Sequence, residues 1–105
     1  MHSSKKERLI RKGWTISTAQ EFLGLSAEEL AYIELRLRLS NSLKKRRRSR
    51  QITQQALARQ IRSSQSRVAK MEAGDASVSI ELLLRALLHL GATRRKLGQI
   101  IGRAA

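Results

Sequence analysis

The stretch Ile52-Thr53-Gln54-Gln55-Ala56-Leu57-Ala58-Arg59-Gln60-Ile61-Arg62-Ser63-Ser64-Gln65-Ser66-Arg67-Val68-Ala69-Lys70-Met71-Glu72-Ala73-Gly74 decides the fold. Thr53 carries a hydroxyl that can accept from the free N–H groups at a helix start, and Leu57 and Ile61, four apart, give the helix it opens one apolar edge. Ser63 or Ser64 can open a second helix, with Val68 and Met71 as its edge. Gly74 supplies a left-handed stop, a conformation that a residue without Cβ adopts without strain. Arg62 and Ser63 lie between the two, so the pattern reads helix, tight turn, helix. Ala58, small and mid-helix, permits a close crossing. The narrow seam then leaves Gln65, Ser66, Arg67 and Lys70 on the polar, outward side of the second helix, near its N-terminal end.

Downstream, Ser77 or Ser79 starts a helix whose Ile80, Leu83, Leu84, Leu87 and Leu88 form one apolar face, stopped near Gly91. Thr93 begins a last short helix with Leu97, Ile100 and Ile101. Upstream, Ser26 and Glu29 stand at capping-box spacing and predict a helix that runs without a breaker to about Arg48. It carries two stripes: Tyr32, Leu35, Leu39 and Leu43 on one side, Leu30, Ile33 and Leu37 on nearly the opposite side. One face cannot bury both. The expectation is that one stripe joins the downstream core, the other being covered by the Trp14 to Leu25 segment, by a second chain, or by both. In that segment Trp14-Thr15-Ile16 is a short extended candidate. Ser17 or Thr18 can cap a helix through Phe22 and Leu23 that ends near Gly24, with Thr18 and Glu21 again at capping-box spacing. Met1 to Lys12, basic and polar, is expected to fray at least in part. The organisation expected is an N-terminal arm over 1–25 with a short helix, then one domain over 26–105 holding the two-helix unit at about 52–74. With no proline and an abundance of Leu, Ala, Arg and Gln, the fold class is all-α.

The 105 residues hold 22 Lys and Arg against 8 Asp and Glu, a formal charge of +14. Such a balance selects a polyanionic partner, nucleic acid before an anionic membrane surface. The charge is also segregated. Between Leu35 and Met71 there is no acidic residue, while Arg36, Arg38, Lys44, Lys45, Arg46, Arg47, Arg48, Arg50, Arg59, Arg62, Arg67 and Lys70 all fall there. Alone, a run such as Lys44 to Arg50 reads equally as a solvated helix face. The neighbouring two-helix pattern shifts the reading toward nucleic acid.

Ile52-Thr53-Gln54, Ala58, Ile61, Ser64-Gln65-Ser66, Val68, Glu72 and Gly74 resemble, in order and spacing, the signature of the Xre family, the phage-repressor type of helix-turn-helix. The resemblance continues through Ser79-Ile80-Glu81-Leu82-Leu83 to Leu90-Gly91 and covers about Leu35 to Leu97. It implies a compact, repressor-like five-helix domain that binds operator DNA as a homodimer on an inverted repeat, in a bacterial or phage-type cytoplasm at the nucleoid. Carried over position by position, it implies that Gln54, behind the Thr53 cap, contacts a backbone phosphate. Gln65 and Ser66, behind the Ser64 cap, are the first base-reading positions and Lys70 a later one, while Arg67 serves base or phosphate. Arg47 and Glu72 match positions that in some members form a partly buried ion pair. The family often has glycine in the turn, where this chain has Arg62. A left-handed turn there costs about 1 kcal/mol or more relative to glycine. A slightly different turn, with Ser63 and Ser64 satisfying the free N–H groups, is the alternative.

Other chemistries find little support in the residues. No cysteine is present, so thiol redox chemistry and thiolate metal sites are excluded. His2, His89 and Asp75 form no cluster with metal or acid–base spacing, so neither an enzyme nor a cofactor is expected. Trp14, Phe22 and Tyr32 all precede the basic region and make no stacking platform for single strands within it. No apolar stretch reaches the ~20 residues of a bilayer span and no signal-peptide core follows Met1, so a cytoplasmic chain is expected. The second class of function is an antitoxin of the HigA-like type that captures a toxin protein and represses its own operon, with the extra segment and surplus stripe as its toxin-binding surface.

Overall fold

Ser26 and Glu29 close the reciprocal pair that their spacing predicts: Glu29 N–H donates to Ser26 Oγ at 3.1 Å and Ser26 N–H to Glu29 Oε1 at 3.2 Å. This box opens α1, Ala27–Ser49, which carries Glu28 and Glu29 in its first turn and Arg46, Arg47 and Arg48 in its last. Those charges oppose the partial charges of the helix dipole at each end. The computed structural model describes residues 23–102. The fraying terminus, the extended Trp14 candidate and the Ser17 or Thr18 cap lie outside the described residues.

Four shorter helices follow: α2 Gln54–Gln60, α3 Gln65–Ala73, α4 Ile80–His89 and α5 Arg94–Gly102. No strand occurs among the described residues, and the all-α class holds. Each short helix starts on a hydroxyl. Thr53 Oγ1 accepts from Ala56 N–H at 3.0 Å, Ser64 Oγ from Arg67 N–H at 3.2 Å, Ser79 Oγ from Leu82 N–H at 3.1 Å and Thr93 Oγ1 from Lys96 N–H at 3.0 Å.

The first four helices end in one geometry. A residue in the left-handed region sends its N–H three residues back, and the next residue sends its N–H five back. The pairs are Gln51 to Arg48 O with Ile52 to Arg47 O, and Arg62 to Arg59 O with Ser63 to Ala58 O. The other two are Gly74 to Met71 O with Asp75 to Lys70 O, and Gly91 to Leu88 O with Ala92 to Leu87 O. Glycine fills two of these positions, at φ 74° and 88°; Gln51 and Arg62 fill the others at φ 58° and 57°. The turn therefore keeps the left-handed geometry at Arg62, without glycine. The alternative in which both serines satisfy free N–H groups is realised by Ser64 alone; the Ser63 hydroxyl is buried with no partner among the described residues. Arg62→Gly should raise stability by about 1 kcal/mol, read as a higher urea midpoint at unchanged slope.

The chain divides into two units, Met1–Leu35 and Arg36–Ala105. In the first, Leu25, Leu30 and Ile33 are buried and Tyr32 is exposed. In the second, Leu39, Leu43, Leu57, Val68, Met71, Leu83 and Leu87 are fully buried. Leu37 belongs there too: a Cβ built on Gly74 would lie 2.5 Å from Leu37 Cδ2 and push that side chain aside, which adds to the preference for glycine that φ 74° sets. The stripes of α1 are thus not sorted by face as expected, since Leu37 joins the same unit as Leu39 and Leu43. Periodicity reports which side a residue faces, not where along the axis its neighbours change.

Beyond α3, Asp75 Oδ1 accepts from Ser77 N–H at 2.8 Å. Hydrogen bonding by Ser77 holds the Asp75 carboxyl below its ordinary value, outweighing the opposing effect of burial, with the charges of Lys70 and Arg36 adding to the lowering. A depressed carboxylate contributes stability that is present above its unfolded value and lost as pH falls through the folded one. Stability should therefore drop on acidification below about pH 4, and Asp75→Asn should remove part of that dependence in urea titrations at several pH values.

Candidate nucleic-acid interface

α2 and α3 pack on each other with Leu57, Ala58, Val68 and Met71 buried and Ile61 half-buried at the edge. Burying Val68, Met71 and Glu72 fixes the rotation of α3, so Gln65, Ser66, Arg67 and Lys70 are all exposed on its other side. The Ser64 and Ser66 hydroxyls lie 3.4 Å apart. Gln65 and Arg67 have no side-chain hydrogen bond among the described residues, so their polar groups are open to a ligand.

Behind this face, Arg47 of α1 meets Glu72 of α3 in a two-pronged pair: Nε donates to Oε2 at 2.5 Å and Nη2 to Oε1 at 2.9 Å. The side chains are only 11% and 3% exposed. The hydrogen bond to Glu72 raises the Arg47 pKa and outweighs the cost of burial, so the guanidinium stays charged. Arg47 Nη1 also donates to Ile52 O at 2.7 Å, and Gln54 Nε2 donates to Glu72 Oε1 at 3.1 Å. One carboxylate thereby ties the end of α1, the connection after it and the first residue of α2 to the helix that bears the exposed face.

The Gln54 link was not legible in the sequence, because a hydrogen bond across eighteen residues leaves no periodic signal. It leaves Gln54, half-buried, with its Oε1 and one amide proton for another partner. Thr53 and Ser64 are exposed caps whose hydroxyl oxygens accept at the helix starts and keep an O–H to donate. His89 is exposed and shares a 2.8 Å contact with Gln60 Oε1.

The basic run is not uniformly solvated. Lys44, Lys45, Arg48, Arg50, Arg59, Arg62, Arg67 and Lys70 are exposed, whereas Arg47 and Arg36 are buried. Burial lowers the Arg36 pKa, and the nearby charge of Asp75 works against that shift. Among the described residues no group of three or more His, Asp or Glu could hold a metal ion, and no helix is long and apolar enough to cross a membrane.

A helix-turn-helix family model, HTH_3, matches residues 43–97, from the last turns of α1 into α5. No curated protein and no solved structure matches the chain. The matched span holds the capped helix pair, the left-handed turn and the exposed α3 face, and it covers more than half of the sequence; the chain belongs to the helix-turn-helix family of DNA-binding transcription regulators.

Proposed function

We propose that the protein binds double-stranded DNA sequence-specifically, placing α3 in the major groove. The observation that carries this reading is the exposed, polar start of α3, held rigid from behind by the buried seam and the Arg47–Glu72 pair. On this reading Gln65 pairs with adenine through N6 and N7, Lys70 donates to guanine O6 or N7, and Ser66 adds a contact to an adjacent base edge. Arg67 reaches base or phosphate. Thr53 and Ser64 set the starts of the two helices against the backbone, and Gln54, steadied by Glu72, gives its remaining amide proton to a phosphate oxygen. Two copies would place their α3 helices about 34 Å apart on an inverted-repeat operator, acting as a repressor at the nucleoid in the cytoplasm.

Toxin capture would add to DNA binding and rests on the extra segment together with a surplus apolar stripe. Leu30, Ile33 and Leu37 are buried, so the stripe lends it no support, while most of the segment lies outside the described residues.

Selection of bound sites from random duplex DNA tests the proposal. One enriched motif with two-fold symmetry is the expected result, and recovery of unenriched sequence would contradict it. Gln54→Ala separates positioning from reading: it should weaken binding to every duplex by a similar factor, of about fivefold to tenfold for one lost phosphate bond, without altering the base profile.

A further inference from the structure

The flank of α1 turned away from α3 carries a second basic surface. A groove of about 520 Å³ lies between α1 and α5, walled by Arg38, Lys45 and Arg46 from α1 and by Lys96 from α5. Ser42 adds a hydroxyl, while the Ser49 hydroxyl donates to Arg46 O at 2.9 Å, and no acidic residue lines the groove. Positions 38, 42, 45 and 49 recur at four-, three- and four-residue steps, which puts them on one side of the helix. At about 100° per residue, Lys45 stands roughly 200° round α1 from Arg47, the residue bonded to Glu72 of α3. A duplex lying on the outer face of α3 therefore does not neutralise this groove.

A solvated helix face explains cations on a convex surface, where side chains splay into water. This surface is a groove, with Lys96 of α5 lining it together with the α1 cations. Lys45, Arg46 and Lys96 have no carboxylate partner among the described residues. Lys45, Arg46 and Lys96, held together in a cleft, focus a field that draws anions in. Guanidinium groups pair with phosphate in two prongs, while ammonium and hydroxyl groups complete its oxygens. We propose that the α1–α5 groove binds a small anion carrying two or more phosphate groups, at a place separate from the DNA-reading face. Such an effector could bind without displacing the duplex.

The test uses the full chain without DNA, so that its failure leaves the DNA reading untouched. Sodium pyrophosphate is titrated at about 150 mM salt, where weak surface attraction is screened, and followed by backbone amide NMR and calorimetry. The expected result is saturable binding with shifts confined to residues 38–49 and 94–100. The exposed pair Lys45→Glu and Lys96→Glu should weaken it about tenfold or more at an unchanged unfolding midpoint, and Arg67→Glu with Lys70→Glu should leave it unaltered. Equal shifts at Arg67 and Lys70, or unchanged affinity in the Lys45→Glu and Lys96→Glu protein, would overturn the assignment. So would a hexaglutamate peptide that engages the groove where pyrophosphate does not.

Discussion

Glu72→Ala is expected to remove roughly 3 to 5 kcal/mol of folding stability, because it leaves a buried guanidinium without its counter-charge. The magnitude follows from what the carboxylate touches. It accepts from Arg47 Nε and Nη2 and from Gln54 Nε2, so one substitution strips three donors of their acceptors in a region that water reaches poorly. A domain of this size typically holds only about 5 to 15 kcal/mol in total, so the midpoint of thermal unfolding should fall by more than about 10 °C. Arg47→Met with Glu72→Leu should be far milder than the sum of the single changes. The pair owes much of its apparent strength to the penalty of leaving one charge alone, and apolar groups of similar volume avoid that penalty. A double-mutant cycle by urea denaturation reads this coupling directly. A single-mutant cost below about 1 kcal/mol would mean that the pair does not organise the unit.

Features written within one turn of chain were legible in the sequence. The Ser26 and Glu29 box, the Thr53 and Thr93 caps and the glycine stops at Gly74 and Gly91 all sit where local chemistry puts them. Where two adjacent hydroxyls competed, as at Ser63 and Ser64, local chemistry could not choose. The choice fell to the left-handed turn, which points one serine inward. That turn also shows tertiary structure overriding preference, since Arg62 accepts a conformation that its own Cβ opposes. The site divided the same way. The exposed order of Gln65, Ser66, Arg67 and Lys70 follows from helical period and the buried edge, whereas the sharing of Glu72 between Arg47 and Gln54 depends on three segments meeting. Burial of Arg36 within the basic run gave no sequence signal at all, since a charge run looks the same whether or not one member turns inward.

The second large effect concerns salt. With seven exposed cations between Lys44 and Lys70 outside the α1–α5 groove, a bound duplex should have about six phosphates neutralised, each lowering log K by about 0.9 per decade of salt. Raising sodium chloride from 50 to 200 mM should then weaken binding about a thousandfold. Fluorescence anisotropy with a labelled duplex at several salt concentrations gives the slope. Replacing one phosphate-facing arginine should reduce that slope by about one unit, whereas losing a base contact should lower affinity and leave the slope unchanged. An affinity insensitive to salt would contradict a duplex held through its backbone.

The claim on which the account turns is that α3 reads bases through the face that starts at Gln65, and the base profile of Gln65→Ala tests it most directly. Sites should be selected from the same random duplex pool with wild-type and Gln65→Ala protein. The variant should lose its preference at one base pair in each half-site, a discrimination of roughly 1 to 3 kcal/mol, while the rest of the motif stays as it was. A profile identical to wild type at every position would contradict the assignment of the reading face.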